Sequence, residues 1–320
     1  MTYEPPCERT TKIDSFCMEI AELVGALSPQ TPLAKSPTLH HELRIKTIHS
    51  SLFIEGNKLD EKAVTAIIDG KRVLGNEQDI LEAENAKRAY DLLPELDPYS
   101  IDDLLKVHYE MTQGLTAEAG RFRSRNVGVF DGDVLIHAGT PATYVPTVMS
   151  DLFNWLKATE LHPLLASCIF HFEFEFCHPF ADGNGRTGRL WQTLLLSRWR
   201  PIFAWLPIES TIRERQAGYY DTLAKSDAAG SSEVFVEFML EAIRDSIKPF
   251  ANPTNEHEQA KSKTLAFFRE QPNGTISQLA EHLGSSKRSA ERIVAELKGE
   301  DVLDRQGSSR NGSWIVKAKG

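Results

Sequence analysis

The sequence predicts a mostly helical fold with one β-hairpin, followed by a small domain of the winged helix-turn-helix type. Apolar residues recur at helical spacing through most of the chain. Residues 126–137 differ, because two short apolar runs flank Asp131-Gly132, a dipeptide favoured in two-residue hairpin turns. Residues 251–258 are rich in Pro, Asn and charge, which indicates a linker before the last part of the chain.

The helices predicted ahead of this linker are bounded by turn residues and by changes in apolar spacing. They cover residues 13–27, 43–56, 61–68, 78–93, 100–111, 148–161, 163–176, 186–199, 210–225 and 233–247. Breaks are predicted at 28–32 and at Ser36-Pro37. Phe alternates with other residues over 172–176 as it would in a strand, so periodicity leaves helix and strand open there.

Four parts of the chain are predicted. Residues 1–40 form an N-terminal arm with one helix, 41–250 the main domain, 251–258 the linker and 259–320 the winged helix-turn-helix domain. In this last domain, helices are predicted at 263–270, 276–283 and 287–298, and short strands around 302–305 and 314–316.

The composition is that of an ordinary globular protein, with 41% hydrophobic and 25% charged residues. No apolar run nears the roughly 20 residues of a membrane span. Residues 1–12 carry prolines and charges in place of the apolar run of a signal peptide. A cytoplasmic protein with no membrane partner is therefore predicted. The four cysteines form no Cys-x-x-Cys pair, which argues against a zinc site or a disulfide framework.

Charge is distributed unevenly along the chain. The net charge is −9, which argues against a protein whose whole surface is basic and binds nucleic acid. Residues 256–320, however, hold 11 Lys and Arg against 9 Asp and Glu, whereas the remainder holds 25 against 36. The C-terminal part is thus slightly basic and the body strongly acidic.

The segment His178–Arg189 carries most of the chemistry. Its three glycines surround Asn184 and Arg186 where a helix should start. Glycines let consecutive backbone N–H groups converge, and the helix N-terminus adds positive charge, so Gly183 and Gly185 are predicted to form an anion site. Arg186 and Arg189 are three residues apart and share one helix face, where they can bind further phosphate oxygens.

Two further side chains complete this site. Asp182 precedes the anion site, and a single carboxylate with substrate phosphates is a common setting for Mg²⁺. His178 lies before the loop and has the chemistry to remove a hydroxyl proton near neutral pH.

A dinucleotide site is the alternative interpretation, since residues 183–188 fit G-x-G-x-x-G and Glu209 lies where a ribose-binding acid belongs. Three observations weigh against it: Pro179 and Asp182 separate the first glycine from any strand, the two arginines are not required there, and no βαβ rhythm precedes the segment. A Walker loop is absent from the sequence.

The segment H-P-F-A-D-G-N-G-R-T-G-R matches H-x-F-x-[DE]-G-N-G-R-x-x-R at every fixed position, and the chain resembles the Fic family over about residues 40–250. The resemblance implies a helical domain whose active-site loop joins two helices under a β-hairpin flap, and it implies that residues 172–176 end a helix. It also implies transfer of AMP from ATP to a Ser, Thr or Tyr hydroxyl of a target protein or of the chain itself.

Roles follow from the resemblance residue by residue. His178 would deprotonate the hydroxyl, Phe180 would anchor the loop, and Asp182 would bind Mg²⁺. Gly183, Asn184 and Gly185 would form the anion hole, with Arg186 on the β-phosphate and Arg189 on the γ-phosphate. Tyr219-Tyr220 resembles a tyrosine pair near the adenine pocket, and Tyr220 is the predicted contact.

A second segment, Ser51-Leu-Phe-Ile-Glu55-Gly56, matches the inhibitory motif [ST]-x-x-x-E-[GN] of the same family. By itself the match is weak, because an amphipathic helix often places Ser and Glu four residues apart. Beside the first motif it implies that Glu55 pairs with Arg189, removes the γ-phosphate ligand and inhibits the enzyme from within the same chain. A de-AMPylating enzyme, with Glu55 positioning a water, is an alternative.

The C-terminal helix 285–298 carries basic residues suited to phosphate contacts, namely Lys287, Arg288, Arg292 and Lys298. Glu291 and Glu296 lie on the same helix. Contact with DNA or with a protein is therefore predicted for this domain, and a DNA-binding regulator with a Fic-like sensor is the rival function. A homodimer is compatible with the resemblance.

Overall fold

The structure is a computed structural model that describes residues 3–27, 32–131, 134–251, 253–307 and 312–317. It contains two compact units, Met1–Lys248 and Pro249–Gly320. The mostly helical prediction is confirmed. The described part of the chain contains no helix with the length and apolar character needed to cross a membrane.

The helices of the first unit are α1 Thr11–Ala26, α2 Pro32–Lys35, α3 Pro37–Ile54, α4 Glu61–Ile68, α5 Glu77–Asp91, α6 Ile101–Thr112, α7 Val145–Ala158, α8 Pro163–Cys177, α9 Asn184–Trp199, α10 Ile208–Glu214, α11 Gln216–Ala229 and α12 Glu233–Ala251. Strands β1 Gly128–Asp131 and β2 Val134–Ala138 lie between α6 and α7. Short 3-10 turns cover Leu93–Glu95, Ala142–Tyr144 and Pro201–Ala204.

Helix α3 begins six residues earlier than predicted, at Pro37. The Ser36-Pro37 pair, predicted as a break, is a helix start. The Ser36 side chain accepts a hydrogen bond from the backbone N–H of Leu39, and Pro37 takes the first helical position, where its missing N–H costs nothing. The predicted break at 28–32 falls mainly on residues 28–31, outside the described residues.

The hairpin is present, with Gly128 opposite Ala138 and Asp131 opposite Val134. Asp131 is therefore the last residue of β1. The predicted Asp131-Gly132 turn falls in part on residues 132–133, which lie outside the described residues. The register shifts between Val129 and Phe130, which marks a bulge in the pair.

Helices α8 and α9 form the centre of the first unit. Phe170 and Phe174 on α8 and Trp191 and Leu194 on α9 are fully buried. A helix surrounded by other helices is apolar on most sides, so its sequence loses the one-face pattern. This explains why residues 172–176 alternate like a strand although they are helical.

The predicted helix 210–225 is two helices, because Arg215 leaves helical geometry between α10 and α11. Helix α10 packs along α3, where the Ser50 and Ser210 hydroxyls are 3.1 Å apart. Helix α11 then carries Tyr219 and Tyr220.

The second unit contains α13 Pro253–Glu270, α14 Ile276–His282, α15 Lys287–Gly299, β3 Leu303–Gln306 and β4 Ser313–Val316. Leu303 pairs with Val316 in an antiparallel ladder. Its core gathers side chains from all five elements, among them Phe268, Leu279, Ile293, Leu303 and Trp314. The predicted linker 251–258 is wrong over most of its length: Ala251 ends α12, and residues 253–258 are the first turns of α13, where a proline fits the first turn of a helix. Residue 252 lies outside the described residues.

Candidate active site

The loop between α8 and α9 starts with a residue in an unusual conformation. His178 has φ 50° and ψ 61°, in the left-handed region, and its N–H donates to the Phe174 carbonyl at 3.0 Å. A non-glycine residue there costs about 1–2 kcal/mol, so other contacts must hold it. We call residues 178–183 the motif loop.

Arg123 supplies those contacts, and no sequence motif indicated it. Its side chain is buried, and its Nε donates to the His178 carbonyl at 2.7 Å. Its Nη2 donates to the carbonyls of Cys177 and Thr140, and its Nη1 to that of Arg125. Thr140 follows β2, so one guanidinium joins the base of the hairpin to the motif loop.

Replacing Arg123 with Met is expected to lower the free energy of unfolding by about 3 kcal/mol, because buried carbonyls lose a charged donor. Chemical denaturation of the full chain measures this loss. The matched control is Arg121→Met, an exposed arginine of the same segment, which should change stability by less than about 0.5 kcal/mol. Equal effects of the two changes would contradict the role given to Arg123.

Hydrogen bonds and ring stacking hold the middle of the motif loop at Phe180. The Asn184 side chain accepts from Phe180 N and donates to Phe180 O, both at 2.9 Å. The Phe180 ring is fully buried and stacks on the His108 ring with centroids 3.6 Å apart. The predicted anchor role of Phe180 fits this packing. The Asn184 amide is engaged within the loop, so what Asn184 can offer an anion is its backbone N–H.

His108 is a second residue of the site that no sequence motif indicates. Its Nδ1 accepts from the Gly120 N–H at 3.0 Å, so the proton lies on Nε2, which donates to the Asp182 carbonyl at 2.9 Å. Burial lowers the pKa of His108 to about 4, and the ring is therefore neutral near pH 7. It holds the end of the motif loop without adding charge.

The anion site itself lies where α9 begins. Gly183 caps the helix with φ 80° and no side-chain cap bond. A Cβ at this position would lie 2.6 Å from Thr112 Cγ2, so glycine is required for space as well as conformation. The first backbone N–H groups of a helix lack intrahelical partners and carry partial positive charge. Asn184 and Gly185 carry such groups, which fits the predicted anion site.

Asp182 stands at the open edge of this site, with its side chain 54% exposed. Its Oδ1 accepts from the Gly183 N–H at 2.7 Å, and both carboxylate oxygens are 3.3 Å from Arg186 Nη2. Arg186 is buried and also lies 3.7 Å from Glu82. The described residues include no group of three His, Cys, Asp or Glu that could hold a metal unaided. One exposed, hard carboxylate next to an anion site fits Mg²⁺ that is shared with substrate phosphates.

Arg189 contacts the second sequence motif. Its side chain is 1% exposed, its Nη2 donates to Glu55 Oε1 at 2.7 Å and to the Ser51 carbonyl at 3.0 Å, and its Nε donates to Ser51 Oγ at 3.1 Å. Burial alone would lower the pKa of Arg189, but Glu55 more than offsets this and the pKa is raised. The arginine is therefore charged and held by α3.

The Glu55 carboxylate also covers the anion site. A Cβ on Gly185 would collide with Glu55 Oε1 and would lie 2.9 Å from Arg189 Nη1. The glycine thus leaves room for a carboxylate against the first turn of α9. A carboxylate therefore occupies the space next to Gly185, at the predicted anion site.

The end of α3 is fixed by α11. Gly56 follows the helix with φ 88°, the conformation that glycine adopts freely. The Ile54 carbonyl accepts from Gln216 Nε2 at 2.9 Å and from the Tyr220 hydroxyl at 3.2 Å. Tyr220, predicted as an adenine contact, is 46% exposed and borders the segment Ser51–Gly56. Tyr219 is buried, with its hydroxyl 3.1 Å from His171 Nε2.

The site residues predicted from the two motifs therefore fall into three groups. Those that converge on the start of α9 are Ser51, Glu55, Asp182, Gly183, Asn184, Gly185, Arg186 and Arg189. His178 opens the motif loop, and Gly56 and Tyr220 lie at the end of α3. The fold and the site define a helical protein with a glycine-rich loop at a helix N-terminus, against which a carboxylate at the end of another helix lies.

Comparison with known proteins identifies the family of this helical protein. Residues 98–196 match the model of the Fic/DOC family. The crystal structure of a Fic family protein from Desulfovibrio desulfuricans G20 is 41% identical, covers 99% of both chains and superposes with a TM-score of 0.75. The chain belongs to the Fic family.

Curated relatives are more distant. A protein adenylyltransferase Fic of Nematostella vectensis is 26% identical over 282 residues, 83% of this chain. The protein adenylyltransferase fic-1 of Caenorhabditis elegans is 28% identical over 219 residues, 63% of this chain. The chain covers 62% and 40% of the lengths of these two relatives.

Proposed function

We propose that this protein is a self-inhibited protein adenylyltransferase. It transfers AMP from ATP to a Ser, Thr or Tyr hydroxyl of a target protein or of itself. The observation that carries the proposal is the Glu55 carboxylate, which pairs with Arg189 and covers Gly185 beside a complete Fic motif. The names of the curated relatives support the same reaction.

The reaction requires one bond to form and one to break. The target hydroxyl oxygen attacks the α-phosphorus of ATP, the bond from that phosphorus to the bridging oxygen breaks, and pyrophosphate leaves. A ring nitrogen of His178 takes the hydroxyl proton. The left-handed backbone of His178, held by Arg123, fixes where the imidazole is presented.

Phosphate binding is the task of the α9 N-terminus. The backbone N–H groups at Asn184 and Gly185 would donate hydrogen bonds to the negative oxygens, and Arg186 and Arg189 would bind the outer phosphates. Asp182 would hold Mg²⁺, which when bound neutralises phosphate charge and orients the leaving group.

Inhibition follows from competition for Arg189. While Glu55 holds the guanidinium, the γ-phosphate has no partner at this position. The triphosphate then binds with its α-phosphorus out of line with the attacking hydroxyl. A displacement of about 1 Å at the reacting atom can cost on the order of 100-fold in rate.

The proposal is tested with Glu55→Gly protein and ATP labelled at either the α- or the γ-phosphate. Incorporation of the α-label into protein supports AMP transfer. Incorporation of the γ-label in its place would show phosphate transfer and overturn the proposal.

Other predictions from the sequence stay predictions. They are removal of AMP by the same site, contact of the C-terminal unit with DNA or protein, a homodimer, and a cytoplasmic location. For the C-terminal unit, Lys287, Arg288 and Arg292 are exposed at the start of α15, but Glu291 is exposed among them.

A further inference from the structure

A buried carboxyl that the proposed reaction does not use lies beside Arg189. Glu175 is on α8, three residues before the motif loop, and its side chain is 11% exposed. Within the described part of the chain, its Oε1 has no hydrogen-bond partner, and His171 Nε2 is 3.8 Å away. Buried polar atoms are nearly always hydrogen-bonded, so this oxygen indicates a partner in another state of the site.

The geometry brings Glu175 against α9. A Cβ on Gly188 would lie 2.7 Å from Glu175 Oε1, so the glycine allows the carboxyl to approach the residue next to Arg189. Arg189 Nη1 also has no partner among the described residues, although its Nε and Nη2 are bound by Ser51 and Glu55. A donor and an acceptor without partners therefore lie on the neighbouring helices α9 and α8, near enough for their charges to interact.

The charges around Glu175 come from α3, α8, α9 and α11. Burial raises the pKa of Glu175 to about 8, Arg189 opposes this rise, and Glu55 adds to it. His171 is neutral above its pKa of about 3, which burial lowers. Burial raises the pKa of Tyr219 and of Tyr220, so both stay neutral at pH 7.

We propose that Glu175 is a second carboxyl partner of Arg189, which takes the guanidinium when Glu55 withdraws. Withdrawal removes one negative charge that faces Glu175 and leaves Arg189 as a buried cation without a carboxylate. The O–H bond of Glu175 then breaks, the proton passes to solvent, and the new carboxylate accepts from Arg189 Nη1. Release of inhibition is therefore coupled to loss of one proton.

In this account Glu175 is a positioning residue. It keeps the guanidinium beside the α9 N-terminus after Glu55 has left and before a γ-phosphate arrives. Its place in the catalytic cycle rests on the proposed function, whereas its pairing with Arg189 can be measured without nucleotide.

The test is thermal unfolding of the full chain, without nucleotide, between pH 6 and pH 9. Four proteins are compared: wild type, Glu55→Gly, Glu175→Gln and the double variant. In the wild type the folded state binds the Glu175 proton more tightly than the unfolded state, because its pKa is raised from 4.5 to about 8. Stability from this proton is present at low pH and is lost as the pH rises from 4.5 to 8.

In Glu55→Gly the paired Glu175 is ionised in the folded state, so this loss should disappear. We expect the unfolding midpoint of the wild type to fall by about 5 °C more than that of Glu55→Gly between pH 6 and pH 9. The unfolding midpoints of Glu175→Gln and of the double variant should show the same dependence on pH.

Two results would overturn the pairing of Glu175 with Arg189. One is an unfolding midpoint that depends equally on pH in the wild type and in Glu55→Gly. The other is a difference in pH dependence between Glu175→Gln and the double variant. The outcome is separate from that of the proposed function. A protein that transfers no AMP but shows the expected unfolding pattern would refute the transferase and retain the pairing.

Discussion

Glu55→Gly protein should incorporate α-label from ATP into protein about 100-fold faster than the wild type. In the wild type, Glu55 occupies Arg189 at 2.7 Å and covers the backbone at Gly185. Removing the carboxylate frees Arg189 Nη2 and the backbone at Gly185 for phosphates, and the side chains assigned to catalysis are unchanged. Label retained on protein after denaturing electrophoresis measures the rate.

A matched control is Glu61→Gly, which removes an exposed glutamate at the start of α4 whose carboxylate lies 3.8 Å from His49 Nδ1 and not on Arg189. It should leave incorporation at the wild-type level. If Glu55→Gly incorporates no more label than the wild type, the inhibitory contact has no role in activity.

The second large effect is expected for His178→Ala in the Glu55→Gly background. Label incorporation should fall by about 1000-fold, because a positioned general base contributes roughly 100-fold to 10,000-fold. The same labelled-ATP assay measures it, with the Glu55→Gly protein as reference.

ATP binding serves as the control for removing the His178 imidazole. His178 is not assigned to the phosphates, so calorimetry should give ATP affinity within about threefold of the Glu55→Gly value. Full AMP transfer by the His178→Ala protein would remove His178 from the mechanism.

The sequence could predict the parts of the site that lie within continuous motifs. The motif loop and the start of α9 follow from local rules, since glycines and a helix N-terminus create an anion site wherever they occur. The contact of Glu55 with Arg189 could be predicted because both residues belong to recognisable segments, although 134 residues separate them.

The supporting residues could not be predicted in this way. Arg123 and His108 act through backbone carbonyls that only the tertiary fold brings near them. Glu175 is one carboxylate among many in the sequence, and its burial against Gly188 depends on how α8 packs on α9.

The predicted boundaries of helices were wrong where two local signals compete. A proline after a serine serves as a break or as a helix start, and at Pro37 the cap bond from Ser36 favours the start. The same ambiguity applies at Pro253, where composition indicated a linker and α13 begins.

The central claim is that Glu55 and the γ-phosphate compete for Arg189. It is tested most directly by calorimetry of ATP and ADP binding to His178→Ala and to His178→Ala/Glu55→Gly, in which turnover is suppressed. Removing Glu55 should raise the preference for ATP over ADP by about tenfold or more, the worth of a charged hydrogen bond to the γ-phosphate. An unchanged ATP-to-ADP ratio in the two proteins would contradict the claim.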